Sequence, residues 1–130
     1  MVEFHGWFSI QESVDGENEE NISSIVDELD QAVASLGSGS SLIDIRPVNG
    51  KYYLHLGGST NHRSEDVREV QGLVNLVSSL AKGSYGILYL RDDEDSEGRD
   101  NEFQIIKMAR GQIYEEKDVW LSPCNPTIEE

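Results

Sequence analysis

The stretch LIDIRPVNGKYYLHL, residues 42–56, decides the fold more than any other part of this sequence. Its centre, Asn49-Gly50, suits a two-residue type I′ turn, because both turn positions of that type need a positive φ angle. The runs on either side, residues 42–48 and 51–56, therefore predict two antiparallel strands joined at this turn. Pro47 has no backbone N–H to donate, which predicts that the first strand lies at a sheet edge or a bulge.

Helical periodicity flanks this hairpin on both sides. Apolar residues recur at helical spacing from Ile22 to Leu36 and again from Val67 to Ala81, so each run predicts an amphipathic helix. Asn18 or Asn21 is a candidate cap for the first helix, with acidic residues in its first turn. Gly72 interrupts the second helix and is interpreted as a point of close approach between helix and sheet. Further strands are predicted at residues 3–10, 85–91 and 103–108, the last continuing through residues 112–114.

The resulting order, β-α-β-β-α-β-β followed by an irregular tail, predicts one α+β domain over residues 1–130. Its first six elements match the split βαβ pattern of ferredoxin-like folds. Right-handed crossovers would place both helices on one face of a mainly antiparallel sheet, leaving the other face to the tail, a partner or water. We expect the tail to pack on the body and at least one of Trp7 and Trp120 to be mostly buried.

Charge limits the classes of partner. The chain has 10 Lys and Arg against 25 Asp and Glu, a net charge of −15. Nucleic acid and anionic membrane surfaces attract basic proteins, so neither is an expected partner. A basic protein partner is favoured instead. The single cysteine, the absence of a signal-peptide pattern and the lack of a long apolar run predict a cytoplasmic protein.

The candidate chemical motifs are weak. Asp93, Asp95 and Glu97 alternate before Gly98 as in a calcium loop, but Gln104 stands where that loop needs a bidentate carboxylate. The sequence has three histidines, none at metal-ligand spacing from another: His5, His55 and His62. Cys124 lies between Pro123 and Pro126 without a nucleophile signature, and is interpreted as a small residue that pins the tail. We therefore predict no catalytic residue, metal or cofactor.

The densest charged feature is the run that begins at Asp92. We predict that its carboxylates contact a basic partner, because clustered acids accelerate association with such a partner. The residues assigned to this contact are Asp92, Asp93, Glu94, Asp95 and Glu97. The alternatives are a solvated loop, or a local role in which Asp92 and Asp93 cap backbone amides or pair with Arg91 or Arg110.

Several short segments together resemble one family. They are His5-Gly6-Trp7, Asn61-His62-Arg63-Ser64, Gly83-Ser84-Tyr85-Gly86, Tyr89-Leu90-Arg91-Asp92-Asp93-Glu94-Asp95, Asn101-Glu102-Phe103, Ala109-Arg110-Gly111 and Leu121-Ser122-Pro123-Cys124-Asn125-Pro126-Thr127-Ile128-Glu129. In this order they are similar to the Immunity protein 7 family of bacterial polymorphic toxin systems. The roles of the following motif positions stay open: His5, Gly6, Trp7, Asn61, His62, Arg63, Arg91, Glu102, Arg110, Pro123, Cys124 and Pro126.

The resemblance implies a non-enzymatic antidote in the cytoplasm that binds the C-terminal toxin domain of a cognate polymorphic toxin. Toxin domains of such systems are often nucleases, and a nuclease domain tends to be basic, which would give the charge of −15 its partner. Two other hypotheses stay open. One is an acidic mimic of nucleic acid or a general protein-interaction module, and the other is a small enzyme that uses His62 with nearby carboxylates.

Overall fold

The computed structural model describes residues 1–36, 42–60 and 65–125. Its elements follow the chain in the order β1 (Val2–Ile10), α1 (Ile22–Ala34), β2 (Leu42–Val48), β3 (Lys51–Thr60), α2 (Glu65–Leu80), β4 (Tyr85–Asp92), β5 (Gln104–Ala109) and β6 (Gln112–Lys117). The predicted α+β class is confirmed. Neither helix, as far as the described residues go, has the length and apolar content needed to cross a membrane.

The strands form one antiparallel sheet in the order β2-β3-β1-β4-β5-β6. Its first four positions have the arrangement expected of a split βαβ unit, because β3 lies between β1 and β2. As predicted, β5 pairs with its neighbour β4, and Pro47 lies in a strand at the edge of this order. The Asn49-Gly50 turn is also confirmed, with φ angles of 54° and 83°.

The prediction for residues 112–114 is wrong. A second turn with two positive φ angles, 53° at Arg110 and 74° at Gly111, reverses the chain after β5. Residues 112–117 therefore form a sixth strand antiparallel to β5 instead of extending it. Gly111 suits its positive φ, but arginine is rare at such an angle, so the sequence carried only part of the usual signal for this turn.

The hydrophobic core lies between the two helices and one face of the sheet, as predicted. Its members alternate along the strands, since successive side chains point to opposite faces. Phe4 and Phe8 of β1 meet Leu54 and Leu88 from the neighbouring strands, and both helices contribute their apolar stripes. The helical part of this cluster consists of Val26, Leu29, Val67, Val70, Leu73, Val74 and Val77.

Two details of the helices differ from the predictions. The first turn of α1 has no acidic residue, and the Asn21 side chain makes no capping hydrogen bond. Instead, the backbone N–H and the side-chain amide of Asn21 both donate to the Glu12 carboxylate, at 2.8 and 2.9 Å. Gly72 is exposed, and a Cβ there would meet nothing within 4 Å, so it marks no close approach to the sheet.

Candidate protein-binding site

The acidic loop, residues 92–97, lies at one end of the sheet. It follows β4, whose last residue Asp92 is opposite Val2 at the start of β1. The same end holds the end of β6, because Lys117 is opposite Gln104 where the chain re-enters the sheet. The loop therefore projects beside the first strand and the tail, away from the Asn49-Gly50 turn.

Two of the five predicted contact residues have local structural roles. Asp92 is 8% exposed, and its Oδ1 accepts the backbone N–H of Glu94 at 3.0 Å. Asp95 has a side chain that is 8% exposed, and its Oδ1 accepts the N–H of Glu97 at 2.7 Å. The Arg99 guanidinium lies 3.4 Å from the Asp95 carboxylate and 3.1 Å from that of Glu97. These contacts hold the loop backbone in shape.

The other three carboxylates of the loop face solvent more freely. The side chains of Asp93, Glu94 and Glu97 are 37%, 53% and 75% exposed. The amino group of Met1 contacts Asp93 and lies 3.8 Å from Glu94. Arg91 pairs with Glu3 and not with Asp92 or Asp93, since its guanidinium lies 3.6 Å from the Glu3 carboxylate.

The inner side of the acidic loop borders a polar cleft of about 410 Å³. Its walls also include Gln71 of α2 and Glu115 of β6. Five carboxylates and one guanidinium line it: Asp92, Glu94, Asp95, Glu97, Glu115 and Arg99. Such a concave acidic surface attracts cationic side chains. Within the described parts of the chain, no group of three His, Cys, Asp or Glu residues is placed to hold a metal ion.

The remaining titratable candidates are dispersed. His5 is exposed, with Nε2 3.2 Å from the Glu3 carboxylate. His55 is also exposed and lies against Tyr53, with ring centroids 6.3 Å apart. His62, like Asn61, Arg63 and Pro126, lies outside the described residues.

The tail is attached to the segment before β5 by hydrogen bonds. The Asn101 side chain donates to the Asn125 carbonyl at 2.7 Å and accepts the Asn125 N–H at 2.8 Å. The backbone N–H of Cys124 donates to the Asn101 carbonyl at 2.9 Å. Ser122 Oγ accepts the N–H of Phe103 at 2.8 Å. Two of the motif segments quoted above therefore meet here, and the tail packs on the loop that leads into the sheet.

Asp118 organises the start of this tail. It is 2% exposed, and its carboxylate accepts the N–H groups of Trp120 and Leu121 and the hydroxyl of Ser122, at 3.0, 2.9 and 2.8 Å. Burial by itself would raise the pKa of Asp118, but these three hydrogen bonds outweigh it and lower the pKa below its ordinary value.

The expectation of a buried tryptophan is wrong. Trp7 is 42% exposed because it alternates with Phe8 on β1 and points away from the helices. Trp120 is 80% exposed, in the turn that Asp118 holds. Aliphatic side chains and two phenylalanines fill the core instead.

The sheet face opposite the helices carries most of the aromatic residues, a feature that was not among the predictions. Six of the chain's ten aromatic residues belong to it, and together they are named here the aromatic face: Trp7, Tyr53, Tyr85, Tyr89, Phe103 and Tyr114. Trp7 and Tyr85 meet edge to face at 6.2 Å, and Tyr89 and Phe103 at 5.7 Å. Alternation along each strand was the signal that would have revealed this face.

Two glycines allow β1 and β4 to approach beneath these rings. A Cβ at Gly86 would lie 2.1 Å from the Trp7 carbonyl oxygen, and a Cβ at Gly6 would lie 2.7 Å from that of Ile87. Segments 5–7 and 83–86, both quoted for the family resemblance, therefore meet across this pair of strands. Of the other quoted positions, Arg110 forms the β5–β6 turn and Glu102 lies 3.8 Å from Lys117.

Comparison with known proteins identifies a family. A family model described as Immunity protein 7 matches residues 1–130, which is the full sequence. The searches of curated proteins and of solved structures found no match.

Proposed function

The chain belongs to the Immunity protein 7 family, whose members protect against polymorphic toxins, and we propose that this one binds and neutralises a basic nuclease toxin domain. The family match over all 130 residues is the observation that supports the role of inhibitor. The net charge of −15 supports a basic partner, because opposite charges lower the free energy of the encounter complex and raise the association rate. The protein acts by stoichiometric binding in the cytoplasm, without turnover.

Co-expression tests this function. The C-terminal domain of the cognate polymorphic toxin is expressed in a sensitive host with and without the immunity protein. We expect growth to be rescued, and the purified pair to elute as a complex of defined stoichiometry. An unrelated basic toxin domain is the control, because a general mimic of nucleic acid would also bind it. Absence of rescue together with absence of a complex would contradict the proposal.

Within this function, we assign the acidic loop to the toxin contact. The exposed carboxylates of Asp93, Glu94 and Glu97 support the assignment, as does the acidic cleft behind them. Asp92 and Asp95 contribute by holding the loop backbone through the hydrogen bonds described above.

A matched pair of triple variants tests this assignment. D93N/E94Q/E97Q removes three charges from the loop, and D27N/E28Q/D30N removes three from exposed positions of α1. We expect the loop variant to associate with the toxin domain more slowly than the α1 variant at low salt. Where a loop carboxylate forms a fully desolvated charge pair with the toxin domain, its substitution should also weaken the binding free energy by about 2–5 kcal/mol. Equal rates for the two variants, both still folded, would refute the assignment.

A further inference from the structure

We infer that the aromatic face is the surface that binds the toxin domain, with the acidic loop at its edge. This inference rests on the proposed function and names the part of the protein that carries it. Both helices pack on the opposite side of the sheet, while Trp7, Tyr85 and Tyr114 each remain 42% exposed. Exposed aromatic clusters of this kind commonly mark sites of protein binding.

Three ion pairs on this face neutralise six of its charged side chains. Arg46 Nε lies 2.6 Å from Asp44, Lys107 Nζ lies 3.2 Å from Glu116, and Arg91 lies 3.6 Å from Glu3. These pairs add no net charge, and Lys51, which shares the face with Tyr53 and His55, adds a positive one, so the excess of negative charge resides elsewhere on the molecule. Interfaces are arranged in the same way, with an aromatic centre depleted in unpaired charge and a charged rim.

The acidic loop supplies such a rim. Arg91 is the last residue of β4 that points to the face, whereas Asp92 points to the helix side, where it lines the acidic cleft with Gln71. The loop therefore borders the aromatic face only at the end of the sheet, where the exposed Asp93 contacts the Met1 amino group. A basic domain with an apolar patch would place that patch on the rings and its Lys and Arg side chains toward the loop. The rings can also accept cations on their faces, as Tyr114 does with Lys107 at 5.1 Å.

Charge distinguishes this occupant from two others. A second copy of this chain would bring a further −15 to the complex, which opposes self-association. Aromatic rings on the sheet of a split βαβ fold also serve some proteins as stacking platforms for single-stranded RNA. Phosphates would be repelled by this protein, so the observations favour a basic protein over RNA.

The test compares two aromatic substitutions. W7T/Y85T removes two exposed rings from the face and keeps residues that favour strands. W120A removes an aromatic side chain that is 80% exposed and lies outside the face, so it is the matched control. Affinity for the purified toxin domain is measured by calorimetry, and folding by thermal melting. We expect W7T/Y85T to weaken binding about 30-fold or more, as the loss of central interface residues does, and W120A to change it less than threefold.

A second measurement covers the case in which W7T/Y85T fails to fold. The wild-type chain is labelled with 5-fluorotryptophan, and the W120F variant assigns the two resonances. The Trp7 resonance should shift or broaden when saturating toxin domain is added. An unchanged Trp7 resonance, or wild-type affinity in folded W7T/Y85T, would overturn the inference while leaving the proposed function intact. Failure of the wild-type chain to bind the toxin domain would instead refute the proposed function, and the inference with it.

Two further outcomes would also overturn it. Sedimentation could reveal a wild-type dimer that W7T/Y85T dissociates, which would assign the face to a second copy. A fluorescent single-stranded RNA could bind the wild type saturably and lose that binding in W7T/Y85T. We expect a monomer and no RNA binding.

Discussion

Asp118 is the residue on which the tail geometry depends most. A buried carboxylate without partners would be costly, but this one accepts three hydrogen bonds from the turn that follows it. Ser122 extends this hydrogen-bond network to the segment before β5, since its hydroxyl donates to Asp118 and accepts the N–H of Phe103. One side chain therefore couples the end of β6 to the start of β5.

We predict that Asp118→Asn lowers the free energy of unfolding by about 1–3 kcal/mol, because an amide cannot accept all three hydrogen bonds and directs its own N–H groups at donors. Urea unfolding measures the loss. Asp30→Asn, at an exposed position of α1, is the control and should change stability by less than about 0.5 kcal/mol. Equal stability of the two variants would show that the turn is not held by the carboxylate.

The same residue predicts a pH dependence. The pKa of Asp118 is lowered in the folded chain, so the unfolded chain takes up its proton first as the pH falls. The stabilisation is complete above the ordinary Asp value of about 3.9, and is lost as the pH falls through the lower folded pKa. The difference in stability between wild type and Asp118→Asn should be constant from neutral pH to about pH 5 and shrink below about pH 4. A difference that grows on acidification would contradict this assignment.

Arg110 occupies a conformation that suits asparagine or glycine. Its φ of 53° matches that of Asn49 in the other hairpin, where φ is 54°. We predict that Arg110→Asn raises the free energy of unfolding by about 1 kcal/mol, and that Asn49→Arg lowers it by a similar amount. Chemical denaturation measures both. A destabilised Arg110→Asn would mean that the guanidinium makes a contact worth more than the backbone strain.

At the scale of elements, the pairing of β1 with β4 depends on glycine, whereas the interior of α2 tolerates a side chain. We predict that Gly86→Ala costs about 3 kcal/mol, because its Cβ would lie 2.1 Å from the Trp7 carbonyl oxygen and the backbone must shift. Gly72→Ala adds the same methyl group where nothing lies within 4 Å, and should stabilise α2 by about 0.5–1 kcal/mol. Thermal melts of the two variants should therefore move in opposite directions, and a common direction would refute this packing argument.

At the scale of the whole molecule, the charge of −15 governs the encounter with a basic partner. We predict that the association rate constant with the toxin domain falls from about 10⁸ M⁻¹ s⁻¹ at low salt towards about 10⁶ M⁻¹ s⁻¹ at high salt. The dissociation rate constant should change much less, because contacts already formed are screened less. Stopped-flow measurements across a salt series separate the two rates. Association that is insensitive to salt would exclude electrostatic steering.

The local signals that the sequence carries were sufficient for most of the fold. Asn49-Gly50 specifies its own turn, and the two apolar stripes specify two helices, because both depend on neighbours along the chain. The order of elements then restricts the topology to a split βαβ arrangement. The resemblance to the family was equally readable, since it rests on residue identity alone, and the match over residues 1–130 agrees with it.

Tertiary structure decided what depends on contacts between distant residues. The sixth strand required Arg110 to adopt a positive φ angle, which its residue type does not favour. Alternation along β1 separates Trp7 from Phe4 and Phe8, but only the packing of the helices decided which of the two sides stays exposed. From residue type alone, the five carboxylates of the acidic loop could not be told apart. Only the fold separated Asp92 and Asp95, which hold the backbone, from the three exposed carboxylates, because burial and hydrogen bonding arise from packing and not from residue type.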